Sequence, residues 1–401
     1  MARRRSALTV ASILLGVAAL VPSGCAPRSA VPPTTLTPLI PANQLPTTTE
    51  APTTTAAPSS DPSNPLLAAL PEGECAYADP LPGGELTFVV AERLYGVAPE
   101  GTSARCLSTI NGSQRGVVRW SPRGERALLN NGTTFDANGR RDNGYLPENS
   151  RVRWVQPTAN ALIAPTTSSR TLVRRDALTA QRSEVTFLAQ TDIAISHPAG
   201  GSLIGAGVAF DGTHGIYVAS DLGTNPRPIL RVESADVSVT ELAMDASGEA
   251  LFFVSSGTST FELHRLAFPT LAMMDVTSEQ APISELVTGP VAGATAWRVG
   301  LCNSVTQVRV LDERIAEPVD VGEGTPIAAL SLSPLGWLDA NRLVVAARPL
   351  GCDGPADVWI WNRLDNAATL VVKSVEFPAV RVVAQVATTI AISPTADLPL
   401  L

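Results

Sequence analysis

Val118-Arg119-Trp120-Ser121-Pro122-Arg123-Gly124-Glu125-Arg126-Ala127-Leu128-Leu129 reads as one β-hairpin: two short strands flank a turn in which Pro122 fixes φ and Gly124 accepts a left-handed backbone. Echoes recur down the chain. They are Trp154-Val155-Gln156-Pro157, Ser196-His197-Pro198-Ala199-Gly200, Met244-Asp245-Ala246-Ser247-Gly248, the strand through Trp297, Trp337-Leu338-Asp339 and Ile392-Ser393-Pro394. Anchors at 120, 154, 196, 245, 297, 337 and 393 are separated by 34, 42, 49, 52, 40 and 56 residues. A mean of about 45 residues suits one four-stranded propeller blade.

Several anchors are followed by a second alternating strand, such as Gly215-Ile216-Tyr217-Val218, Phe261-Glu262-Leu263-His264 and Asp357-Val358-Trp359-Ile360-Trp361. Period-two runs of this kind bury alternate side chains between neighbouring sheets. All six tryptophans fall in these two motif positions, where large aromatics fill the gap between twisted sheets. The run from Trp120 to Leu129, with its later aromatic strand, resembles the WD40-like repeat of TolB-type propellers over roughly residues 80–396. The expected fold is therefore all-β, a propeller of seven blades, with six as the alternative. The entering strands Glu85–Val90 and Arg93–Val97 lack an inner strand, and residues 388–393 form an inner strand without successors. Joining them predicts one composite closing blade, which removes exposed sheet edges.

The chain's 401 residues are 45% apolar and 16% charged, with 33 prolines and 30 glycines, a balance that favours many short strands over long charged helices. A formal net charge of −8 leaves no general basic field for nucleic acid. Arg3, Arg4 and Arg5 precede a short apolar run that ends in Val21-Pro22-Ser23-Gly24-Cys25, too short to span a membrane comfortably. The pattern resembles a bacterial lipoprotein signal, with Pro22 where that family places an aliphatic residue. It implies cleavage before Cys25 and acylation there, palmitate included; the alternative is an ordinary secretory signal cut slightly downstream. The expected organisation is a signal peptide over 1–24, a Pro/Thr-rich tether over 25–70 and a propeller over 71–401. A Pro/Thr tract of this composition buries too little to fold. At roughly 3 Å per residue it holds a domain on the order of 100 Å from a membrane.

Export leaves four cysteines where thiols oxidise. Cys75 to Cys106 would pin the chain's entry, and Cys302 to Cys352 would join neighbouring blades; four buried thiols are the alternative. No cofactor or metal is expected, since no two cysteines lie two to four residues apart and His197, His214 and His264 are scattered. Asp211-Gly212-Thr213 and Asp136-Ala137-Asn138-Gly139 read as turns. No nucleophile elbow, Walker loop or dinucleotide fingerprint is present.

Two function classes follow. The favoured one is a monomeric, non-enzymatic envelope lipoprotein, anchored through Cys25 on the extracytoplasmic side, whose propeller face binds a protein, peptide or cell-wall partner. The other is a secreted propeller enzyme, a glycan hydrolase or lyase with carboxylates drawn from different blades.

Overall fold

The computed structural model describes residues 65–142, 151–166, 170–290, 294–312, 315–382 and 398–401. A short helix, α1 (Pro65–Ala68), leads into β1 (Glu85–Val90), β2 (Arg93–Val97) and β3 (Arg105–Thr109). Five antiparallel four-stranded sheets follow. They are β4 (Arg119–Trp120), β5 (Ala127–Leu128), β6 (Thr133–Asp136) and β7 (Gly139–Asp142), then β8 (Arg153–Trp154), β9 (Ala161–Pro165), β10 (Leu172–Asp176) and β11 (Arg182–Val185). The third comprises β12 (Gln190–Ser196), β13 (Ser202–Val208), β14 (His214–Ser220) and β15 (Arg227–Val232); the fourth β16 (Ser238–Met244), β17 (Ala250–Ser256), β18 (Phe261–Ala267) and β19 (Ala272–Glu279). The fifth comprises β20 (Ile283–Thr288), β21 (Thr295–Val299), β22 (Gln307–Asp312) and β23 (Ile315–Asp320). Finally β24 (Ser331–Trp337), β25 (Arg342–Arg348), β26 (Ala356–Asn362) and β27 (Ala367–Arg381) share one seven-stranded sheet with β1, β2 and β3.

The protein is thus an all-β propeller, but with five separate four-stranded blades among the described residues, where seven or six were expected. The cause is β27. Its first part pairs with β26 as far as Val375, and its second part pairs with β1 from Glu376 to Arg381. Positive φ at Ser374 and Phe377 bends the strand between these partners without ending it. The entering strands do share a sheet with a C-terminal strand, but that strand is β27; residues 388–393, expected in that place, lie outside the described residues.

Burial follows the alternation of the strands. Ile204 and Ile216 meet Leu242 and Phe253 of the next sheet, whereas Phe252 and Leu263 face the other way onto Ile283 and Trp297. Each such side chain, fully buried, contributes about 1.5–3 kcal/mol. Within the bent seven-stranded sheet, Leu86 and Phe88 pack with Val344 and Val358. Leu66 of α1 joins that cluster, so the packed domain begins inside the stretch 25–70 read as tether. At the other end, Leu401 donates its N–H to Arg231 O of β15 at 2.9 Å and packs on the third sheet. No helix among the described residues is long and apolar enough to cross a membrane.

Candidate functional site

The repeated turns converge. The ends of the inner strands β4, β8, β12, β16, β20, β24 and β27 surround a cavity of about 430 Å³ at one mouth of the central channel, lined among others by Trp120, Trp154, Ile195, Met244, Val287, Trp337 and Val380. Local chemistry fixes each turn. Gly124 closes the first with φ 66°, and its N–H donates to Ser121 O at 2.8 Å. Where the fourth repeat has no proline, Asp245 Oδ1 accepts from the N–H groups of Glu249 (2.9 Å) and Ala250 (3.2 Å). His197 does similar work in its turn: Nδ1 accepts from Ala199 N–H at 3.2 Å, and Nε2 lies 3.3 Å from Gly248 O in the neighbouring turn. Burial keeps its pKa below the ordinary histidine value, against the pull of the Gly248 carbonyl and Asp245.

Hydrogen bonds link neighbouring anchors into a girdle. Trp154 Nε1–H donates to Arg119 O at 3.0 Å, Ser196 Oγ–H to Trp154 O at 3.2 Å, and Thr288 Oγ1–H to Met244 O at 2.8 Å. Trp120 Nε1–H reaches Thr87 Oγ1 of β1 at 2.9 Å. Trp120 and Trp154 therefore do more than fill gaps between sheets, the role expected for most of the tryptophans, whereas the buried Trp337 indole N–H has no hydrogen-bond partner among the described residues. Trp297 was misplaced by the repeat: it lies on β21, and the inner strand of its sheet is β20, whose mouth turn is Gly289-Pro290. That turn follows Thr288 and carries no tryptophan anchor.

The junction of chain ends is charged and buried. Arg381 donates to Glu85 Oε2 (2.9 Å), Gly124 O (2.6 Å) and Ala78 O (2.8 Å), and its guanidinium lies 4.1 Å from the Trp120 ring centroid. Both members of the Arg381–Glu85 pair are fully buried, and Arg105 Nε reaches Glu85 Oε1 at 2.9 Å. Sequence reasoning missed this cluster; its signal was an ionised residue at the edge of each of two apolar strands.

Further along the channel wall the inner strands carry charge. Burial, and then the neighbouring Arg153, pull the Arg119 pKa down to about 10. Glu241 is pushed above the ordinary carboxylate value by burial, with Arg153 and Arg151 opposing and Glu285 adding to the rise. Glu285 pairs with Arg298 at 2.8 Å.

Cys75 is bonded to Cys106 and Cys302 to Cys352, with Cα atoms 4.6 and 4.9 Å apart; Cys25 lies outside the described residues. The first bond holds the entering chain on β3, and the second joins the turn after β21 to the turn after β25. Among the described residues no three His, Cys, Asp or Glu side chains are grouped to hold a metal. Asp136 and Asp211 cap their own turns through Asn138 N–H (2.8 Å) and Thr213 N–H (2.9 Å).

His264, read as an ordinary strand residue, has more elaborate company. Its Nε2 lies 2.9 Å from Ser255 Oγ and its Nδ1 2.8 Å from Asp275 Oδ1, a serine–histidine–aspartate order across β17, β18 and β19. Ser255 is buried, the ring stacks on Phe253 with centroids 4.8 Å apart, and none of the three lines the mouth. The arrangement ties three strands of one sheet together.

No protein-family model matches the sequence, and no curated protein matches it. Among solved structures, the chain is similar to TolB from Acinetobacter baumannii (15% identity, TM-score 0.42, covering 74% of this chain and 66% of that one). It is also similar to an oligogalacturonate lyase from Vibrio parahaemolyticus (11%, 0.45, covering 66% and 88%). A third is a puromycin-hydrolyzing peptidase of Mycobacterium tuberculosis (12%, 0.46, covering 76% and 57%). This chain thus spans just under two thirds of the A. baumannii TolB, and each likeness is one of fold.

Proposed function

We propose that this protein is an extracytoplasmic binding module, anchored at the membrane through an acylated Cys25, held out on its Pro/Thr-rich tether, and engaging a protein partner at the channel mouth. The observation that carries the reading is the convergence of Trp120, Trp154 and Trp337 on one open cavity whose rim is tied together by hydrogen bonds. Trp154 and Trp337 are themselves buried in the wall and Trp120 is half-buried, so the indoles give the mouth a fixed apolar floor, and a rim held by its neighbours is preorganised. Replacing Trp120 and Trp154 by alanine should reduce retention of the partner from detergent-solubilised envelopes by tenfold or more. The exposed Phe210 and Leu350, in turns at the opposite end, should be replaceable by serine without that loss. The reverse pattern would move the binding surface to the other face.

Glu241 and Glu285 on adjacent inner strands favour a second reading, a glycan-cleaving enzyme with Glu241, whose pKa burial raises, as the general acid. Glycan cleavage abolished by Glu241→Gln would establish it.

A further inference from the structure

The two sulfurs of the Cys302–Cys352 bond have unequal surroundings. Cys302 belongs to the turn 301–305, in which every residue is exposed, whereas Cys352 is half-buried and follows the buried Gly351. Two buried arginines stand on the Cys352 side. Arg298 Nη1–H donates to Cys352 Sγ at 2.6 Å, and the same guanidinium pairs with Glu285 and reaches Ser284 Oγ from Nε at 3.2 Å. Arg348 Nε–H donates to Gly354 O at 3.2 Å, which holds its guanidinium on the Cys352 turn; its Nη1 is buried without a hydrogen-bond partner among the described residues. The acids that face Arg348 are Glu285 and the exposed Asp353, and neither accepts from that Nη1. A disulfide sulfur is a weak acceptor, whereas a thiolate is a charged one that guanidinium groups stabilise. These donors are therefore better matched to Cys352 as a thiolate than as half of a bond. The Cys75–Cys106 bond lacks this setting: Cys106 is buried, and its Sγ lies 3.9 Å from the Ser108 carbonyl oxygen, which disfavours negative charge.

We infer that Cys302–Cys352 is a thiol–disulfide exchange site, reduced by a protein dithiol that attacks Cys302 and expels Cys352 as the thiolate. The attacking thiolate forms a bond to Cys302 Sγ; the Cys302–Cys352 bond breaks, and its electron pair stays on Cys352 Sγ beside Arg298. A thiol whose thiolate is stabilised leaves faster. The partner's second thiolate then attacks the partner's own sulfur in the mixed disulfide, Cys302 departs as a thiolate and takes a proton from solvent, and the partner leaves as a disulfide. Two electrons pass to this chain. The sheets on either side stay joined by Val308 and Val310 packing with Leu343 and Val345, so reduction frees the two turns without dismantling the propeller.

The full-length protein carries its own comparator, and the probe is dithiothreitol at neutral pH without denaturant, quenched with iodoacetamide and mapped by mass spectrometry. Cys302–Cys352 should open at least about tenfold faster than Cys75–Cys106. Reduced glutathione, used as a monothiol, should leave its mixed disulfide on Cys302. Arg298→Met and Arg348→Met should each narrow the ratio of the two opening rates by about threefold or more, and Arg298→Lys should restore most of it. The ratio is read because unfolding would expose both bonds together, and Arg348→Met leaves the Arg298–Glu285 pair in place. Equal opening rates in wild type, glutathione on Cys352, or a ratio unchanged in both methionine variants would overturn the exchange site.

Discussion

Arg381 and Glu85 meet across 296 residues of sequence, and the pair decides how the two ends of the propeller are held. Breaking a fully buried pair strands the remaining charge, which costs about 3–5 kcal/mol. Glu85→Gln and Arg381→Met should each lose stability on that scale in urea unfolding, and the double variant Glu85→Gln/Arg381→Met should lose less than the two combined. Full additivity would mean that the two side chains act separately. Glu241 makes the opposite case. Burial raises its pKa, so the folded protein keeps this proton to higher pH than the unfolded chain does, and stability declines as pH climbs from about 4.3 towards Glu241's own higher value. Glu241→Gln removes that decline, and its thermal midpoint should exceed wild type at neutral pH and converge with it in acid. A neutral-pH midpoint below wild type would show that Arg153 and Arg151 outweigh the burial. Legibility at this scale divides along distance. Gly124 and Pro122 announced their turn because the requirement is local, whereas Glu85 gave no hint of Arg381, since nothing in either strand specifies which apolar strand it will join.

β27 shows the same division one level up. The inner strands ending at Trp120, Trp154, Ser196, Met244 and Trp337 were readable from a turn that follows a short apolar strand. β20 was not, because Gly289-Pro290 closes its turn without an aromatic anchor and Trp297 on the next strand mimicked one. The blade count went astray at β27, where Ser374 and Phe377 take left-handed φ values that the sequence disguises as ordinary strand. If the second half of β27 holds β1, a chain ending at Val375 should expose both edges and aggregate in size-exclusion chromatography; a monodisperse product would contradict the pairing. The bond between Cys302 and Cys352 links sheets that already pack, so removing both cysteines should cost only about 2–4 kcal/mol. A native-like melting curve without it would show that the packing of these two sheets suffices.

For the whole molecule, the proposed arrangement separates three tasks: the lipid at Cys25 holds, the tether reaches and the channel mouth binds. Replacing Cys25 by serine should move the protein from the membrane pellet to the soluble fraction while leaving partner capture intact, because two or more acyl chains supply the retention and none of the binding surface. Continued pelleting would place the anchor elsewhere. The mouth itself was half legible. Its turns were visible as repeats, but their convergence, the hydrogen-bonded girdle and the adjoining arginines depend on how the sheets close around an axis. The binding claim is tested most directly by site-specific photo-crosslinking in living cells that make the full-length protein, with the crosslinker at Pro122 or Pro198 on the mouth and at Phe210 or Leu350 at the opposite end. The account predicts partner adducts from the two mouth positions, lost when Trp120 and Trp154 are alanine; adducts from Phe210 or Leu350 alone would contradict it.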